Sequence, residues 1–444
     1  MAAWKLPADV VSWITQLASV LHGSLAWRLL PLLVGALFAQ GRLTVASWLR
    51  GGDLGNDFRA YYYFLGSLGR NVKSVARVLL RIAVRWVEPG ERILLVIDDT
   101  PTKRYGPHVE GAGIHHNPTP GPAGHKFLYG HVWVTLSLVV RHGLWGTIGL
   151  PLLAMMYVRR VNLKSIAPWD KVKFQTKLEQ AAELVEWAMQ TLQSVGKAVW
   201  VVVDGAYIKW PFVRRALQAG VIVVGRLRKD AALRSVPDEV PPGQRRRGRP
   251  RKYGADKISL AKRAGHRQGW QHGEFVLYGK RVRKTYKTFL ATYQPAGGLI
   301  RVVLVKEPDA WVAYCCTKAD ATVSEILEAV ADRAAIEQDF HDVKEVHGAG
   351  KQQVRNYWAN IAAYHVTLWW HTLIELWAWH KTSEELVDRS ASPWDDATRR
   401  PSHADRRNAL RRQCLENEFQ RDDDTGTSPR KFRRLWQRVV KLVA

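Results

Sequence analysis

Cysteine is nearly missing from this chain: three occur in 444 residues, Cys315 and Cys316 side by side and Cys414 far from them. No Cys-x-x-Cys pair occurs, so neither a zinc ribbon nor a disulfide framework is supported, and a reducing compartment fits. No apolar run is long enough to span a bilayer. The best candidate, Leu29–Phe38, is ten residues long, contains Pro31 and follows Arg28. It also lies too far behind Lys5 and Asp9 for a signal peptide. The chain is therefore expected to be soluble and intracellular. No Gly-x4-Gly-Lys-[Ser/Thr] pattern occurs, so nothing indicates an ATPase, and no internal repeat is found. Acid is scarce as well. Asp+Glu total 40 against Lys+Arg 66, a net charge of +26 and a pI near 10.1. Such an excess calls for a polyanionic partner, nucleic acid before an anionic membrane surface, because no long amphipathic basic helix is evident. The length suits two or three domains with a large core.

What is present centres on Ile93–Thr100, Ile-Leu-Leu-Val-Ile-Asp-Asp-Thr. Five apolar residues in a row read as a strand buried on both faces. The two acids then fall at its C-terminal end, where open α/β sheets place their chemistry. A lone Asp at a strand end is more often a turn or cap residue. Here the design recurs: Trp200-Val201-Val202-Val203-Asp204-Gly205 is a second buried strand ending in a carboxylate. A third acid, Glu337, lies in a segment of helical period, with Val323, Ile326, Leu327, Val330, Ala334 and Phe340 as its apolar stripe. Glu337 is expected on that stripe, where a carboxylate is costly unless paired or metal-bound. Arg333 and Lys344 are expected to project from the same face. A plain helix ion pair between Arg333 and Glu337 would account for those two charges but not for two strand-end aspartates.

In chain order, residues 1–90 read as a helical domain that either binds DNA or is simply a helical core. Residues 91–228 give three strands, a helix, a strand, a helix and a strand. The first three strands should be antiparallel and the later ones parallel through helical crossovers. That order suggests an α/β, RNase H-like mixed sheet. The loop Pro101–Lys126 carries His115, His116 and His125, with His131 just beyond. A zinc site there lacks matched spacing, and a loop that touches DNA phosphates is the preferred reading. Residues 229–318 read as a β-rich insertion that opens on Arg245, Arg246, Arg247, Arg249, Arg251 and Lys252, six cations in eight residues. This block is either a solvated loop or, the favoured reading, an Arg-Gly-Arg-Pro segment that lies in a DNA minor groove. Residues 319–381 return to the core with the Glu337 helix and a Trp-rich helix from Val354 to Trp379. Residues 382–444 form a basic, partly helical and partly disordered tail.

Three carboxylates from two strands and a helix form a hard, oxygen-rich site suited to Mg²⁺ or Mn²⁺ rather than zinc. Two such ions about 4 Å apart support in-line phosphoryl transfer. At these residues the sequence resembles the DDE transposases of bacterial insertion sequences. The resemblance rests on Ile97-Asp98-Asp99-Thr100, Val203-Asp204-Gly205 and Arg333-x3-Glu337-x6-Lys344, and it is nearest the branch with a Tyr-x2-Arg-x3-Glu-x6-Lys signature. The signature's Tyr is replaced by Val330. The likeness runs from about Phe38 to His380. It implies Asp98, Asp204 and Glu337 as catalytic metal ligands, with Asp98 chosen over Asp99 because the family acid stands two before a Thr or Ser. Arg333 and Lys344 would grip DNA phosphates. It also implies cleavage at transposon ends, 3′-OH strand transfer into double-stranded DNA, and a homodimer on DNA in the bacterial cytoplasm, at the nucleoid. The alternatives are a catalytically inactive DNA-binding relative and an RNase H-like nuclease.

Overall fold

The computed structural model describes residues 4–117, 124–237, 251–390, 392–424 and 439, with side chains described up to 419 in the last long segment. A single mixed sheet organises the chain. Its strands are β1 Ile93–Lys103, β2 Gly113–His116, β3 Phe127–His142, β4 Gly146–Tyr157, β5 Val199–Val203 and β6 Ile222–Leu227. They continue as β7 Leu233–Arg234, β8 Lys257–Ile258, β9 Gln271–Leu277, β10 Lys280–Tyr293, β11 Gly298–Lys306 and β12 Trp311–Cys316. The spatial order is β2-β3-β1-β5-β6-β12-β11-β10-β7-β8, with β4 also on β3 and β9 on β10. β1, β3 and β4 are antiparallel neighbours, whereas β5 and β6 run parallel to β1. This is the mixed α/β arrangement expected of an RNase H-like core. Strands β7–β12, from the segment read as a β-rich insertion, extend the same sheet, since β12 pairs antiparallel with β6.

The helices are α1 Ala8–Ala18, α2 Gly23–Ala26, α3 Leu29–Phe38, α4 Val45–Gly51, α5 Phe58–Ala83, α6 Lys177–Leu192 and α7 Trp210–Gln218. Then follow α8 Leu260–Gly265, α9 Val323–Asp332, α10 Ala335–Glu345, α11 Tyr357–Ala378, α12 Ser383–Leu386 and α13 His403–Asp424. Strand alternation explains how they cover the sheet. Ile93, Leu95 and Ile97 join the large core with α5, α6 and α11, while Leu94 and Val96 join a second core with Ile326, Ile336 and Phe340 of α9 and α10. β5 divides the same way, with Trp200 and Val202 on the α9–α10 side. Both strands are therefore buried on both faces, as their continuous apolar runs require. The apolar run Leu29–Phe38 is α3, almost wholly buried inside the protein. Among the described residues no helix is long and apolar enough to cross a membrane.

Helix α6 begins at Lys177 because Thr176 and Glu179 form a capping box. In the segment read as a partly helical tail, α13 docks on the core through His403, Arg406, Leu410 and Cys414, all buried. Arg430–Arg434 lie outside the described residues.

Candidate active site

The site is built at one row of the sheet. In the parallel ladder Ile97 pairs with Val203, and Val203 pairs with Gly225. One step beyond these last pairs stand Asp98, Asp204 and Arg226, with Asp204 just past the end of β5. Alternation turns Asp98 and Arg226 to the α9–α10 face, and continuing it past Val203 carries Asp204 there too. β1 does not end at the acids, as its sequence had suggested. Residues 98–103 stay paired with β3, from Asp98 opposite Thr135 to Lys103 opposite Gly130. What ends at Asp98 is the ladder to β5, and this frees one edge of β1 beside Asp204.

Asp98 is largely buried. Burial pushes its pKa up to about 6, although Arg333 and the Asp99 N–H pull the other way. The Arg333 Nη1 donates to Asp98 Oδ2 at 2.5 Å, and its Nη2 lies 3.3 Å from Glu337 Oε1. One guanidinium thus links the strand acid to the helix acid. Asp99 points to the opposite face. Lys177 Nζ donates to it at 2.6 Å and the Tyr207 hydroxyl at 2.8 Å, so it is held by α6 and by the turn after β5. Tyr207 is a residue that sequence reasoning missed. Burial and the charges of Asp99, Asp98 and Asp204 hold its hydroxyl well above the usual phenol range, so it lies within the field of all three aspartates. Nothing in a single sequence marks a Tyr three residues past a strand-end Asp. Arg226, exposed beside Asp204, was likewise passed over.

Glu337 does not sit on the apolar stripe; its side chain is 66% exposed. The cause is a tightened turn. Ala334, Ile336 and Glu337 donate to Ala331, Arg333 and Ala334, three residues back rather than four. Such bonds turn the chain about 20° further per residue than an α-helix does. The helical run therefore breaks into α9 and α10, Glu337 swings outward, and Asp339 and Phe340 take the buried positions. Lys344 follows two turns later, half-buried, with burial lowering its ammonium pKa. It lines a cleft of about 650 Å³ with Arg42, Lys103, Arg104, Lys351 and Arg355. The four loop histidines do not converge. His131 is fully buried, bonded to Arg104 and to the Glu110 carbonyl; His115 is buried; His116 and His125 are exposed. Arg245, Arg246, Arg247 and Arg249 lie outside the described residues, while Arg251 and Lys252 are exposed.

The donors of Asp98, Asp204 and Glu337 are all carboxylate oxygens, which fit a hard dication. Comparison with known families agrees with this chemistry. Residues 17–274, more than half of the chain, match the family described as DDE superfamily endonuclease. Residues 176–373 match the family described as transposase DDE domain. No curated protein matches the chain.

Proposed function

Because the chain belongs to the DDE superfamily endonucleases, we propose that it is an active DNA transposase that cuts at element ends and joins the freed 3′-OH to target DNA. A transposase-type nuclease acts on DNA, and the net charge of +26 suits that polyanion. The observation that carries the reading is the meeting of Asp98 and Glu337 at Arg333, beside Asp204 at the next sheet position. Asp98, Asp204 and Glu337 would hold two Mg²⁺ (or Mn²⁺) ions, which activate the attacking oxygen and stabilise the leaving one.

The protein's own groups do the rest. Arg333 restrains the Asp98 and Glu337 carboxylates toward each other and offers a phosphate its remaining N–H donors. Lys177 and Tyr207 hold Asp99 away, which supports Asp98 as the ligand. Lys344 and its cationic neighbours provide a groove for the sugar–phosphate backbone. The exposed Glu337 suits a ligand that must meet DNA at the surface. The Tyr-Arg-Glu-Lys branch assignment, with Val330 in place of the Tyr, and a homodimer on paired ends belong to this same reading.

The direct ion pairing of Arg333 with two of the three acids also favours a second reading, a DNA-binding relative without catalysis. One experiment separates them. Mg²⁺-dependent nicking of end-containing DNA is assayed beside gel-shift binding for the wild type, Asp204→Asn and Glu337→Gln. Nicking lost in both variants with binding retained supports the transposase. Nicking that survives either substitution removes the three-carboxylate site, and a wild type that binds without cutting leaves the second reading.

A further inference from the structure

A second cluster of ligating groups lies behind α10, on the far side of the buried Asp339 from Glu337 in sequence. Asp342 of α10, His371 of α11 and His403 of α13 are all buried, and one donor atom from each lies within 4.8 Å of the other two. His371 Nε2 is 3.8 Å from Asp342 Oδ2 and 3.9 Å from Asp339 Oδ1. Those separations are too long for hydrogen bonds. They are within a few tenths of an ångström of the roughly 3.4 Å between two ligands in a tetrahedral site with bonds of about 2.1 Å.

Three further observations point to a ligand. His371 Nδ1 is buried without a hydrogen-bond partner. His403 Nδ1 donates to the Glu375 carboxylate at 2.6 Å, which fixes the tautomer and leaves Nε2 as an acceptor; it now takes a 2.8 Å hydrogen bond from His347 Nε2, which a metal ion would replace. A carboxylate behind an imidazole is the usual support of a metal-bound histidine. The third is charge: Asp339, Asp342 and Glu375 are buried together, and Arg406 contacts only Glu375 among them. Asp339 and Asp342 meet imidazoles and two neutral donors, the Ser137 hydroxyl and the Gln338 amide, and a dication would neutralise both carboxylates. The cluster forms the floor of a cleft of about 650 Å³ whose rim includes the exposed Leu144 and Tyr278, so an ion has a way in. Gly149 faces the Asp339 carboxylate so closely that a Cβ would overlap it.

We propose that Asp342, His371 and His403 bind one transition-metal dication, Zn²⁺ before Mn²⁺ or Fe²⁺, at a site separate from the all-oxygen one, with Asp339 or His347 as the fourth ligand. Two imidazole nitrogens and a carboxylate select such an ion over Mg²⁺. It ties α10, which carries Glu337, to α11 and α13. Its role is to hold the Glu337 helix in place rather than to take part in chemistry.

The test uses the full chain purified without chelator. Metal content is measured by mass spectrometry, and the stripped chain is titrated with Co²⁺. About one transition-metal ion per chain is expected. So is a visible Co²⁺ ligand-field spectrum that His371→Gln and Asp342→Asn abolish and Asp98→Asn leaves intact. Adding Zn²⁺ to the stripped chain should raise its Tm by several degrees. If the two cluster variants do not fold, the wild-type stoichiometry and Co²⁺ spectrum decide alone. A wild type that purifies without such metal and gives no Co²⁺ spectrum overturns the site, as does a spectrum that survives His371→Gln. The buried charges would then be balanced by protons.

Discussion

Neutralising Asp98 should stabilise the protein while it destroys catalysis. In the metal-free fold this carboxyl has its pKa raised to about 6 by burial, against a usual 3.8, even with Arg333 beside it. A raised folded pKa on an acid means that stability is lost as pH rises from about 4 to about 6. Above that window the ionised group disfavours the fold by up to about 3 kcal/mol, since one pKa unit corresponds to about 1.4 kcal/mol. Asp98→Asn removes that charge, keeps an acceptor for Arg333, and leaves Arg333 its contact with Glu337. A gain of about 1–3 kcal/mol at pH 7 and a Tm higher by a few degrees should follow, with Mg²⁺-dependent nicking abolished. Asp99→Asn should do the reverse. It loses the ion pair to Lys177, a partly exposed pair, and weakens the charge-assisted bond from the buried Tyr207 hydroxyl. Together these cost about 1–2 kcal/mol, while nicking persists. The assays are urea unfolding at pH 7 in EDTA and nicking in Mg²⁺. Should Asp98→Asn destabilise the chain, or Asp99→Asn be dead while Asp98→Asn cuts, the assignment of faces is wrong by one residue.

Lys344→Ala should slow nicking several-fold with the fold intact, and should lower the slope of log K against log salt by about 1, as one lost phosphate contact does; a melted variant would make Lys344 structural instead. Arg247→Ala with Arg249→Ala should weaken DNA binding and lower that slope by about 2; an unchanged slope returns the segment to a solvated loop. Two buried histidines predict acid sensitivity. His131 is lowered to about 3 and His365 to about 4 by burial, and His365 Nε2 accepts from the Ala154 N–H, a bond that protonation would break. Because these folded pKa values lie below that of the unfolded chain, stability is full at pH 6.5 and above and falls as pH drops toward 4. Each histidine should cost roughly 2 kcal/mol by about pH 5, measured as a lower urea midpoint. A midpoint no lower at pH 5 than at pH 7 counts against this assignment.

How legible each part of the molecule was depended on the range of the interaction that decides it. The two central strands announced themselves because burial on both faces demands an unbroken apolar run, and Ile93–Ile97 and Val199–Val203 supply it. Parity along β1 likewise made Asp98 and Asp99 opposites, and their separate partners, Arg333 and Lys177 with Tyr207, follow from that. Periodicity failed where one turn departs from 3.6 residues. The three-residue bonds at Ala334–Glu337 rotate everything downstream, so the same spacing that should have buried Glu337 buries Asp339 instead. The docking of the C-terminal helix was hidden by composition. Its charged surface is dense, but His403, Arg406, Leu410 and Cys414 recur at three- and four-residue spacing and form the buried stripe. Two of those four are ionisable groups that hydrophobic counting scores as surface. They are stable inside only because Glu375, itself on a helix that reads as apolar, meets both of them. No property of either segment alone reveals that pairing; it exists only once α11 and α13 are packed, and it is this packing that sets the groups around α10.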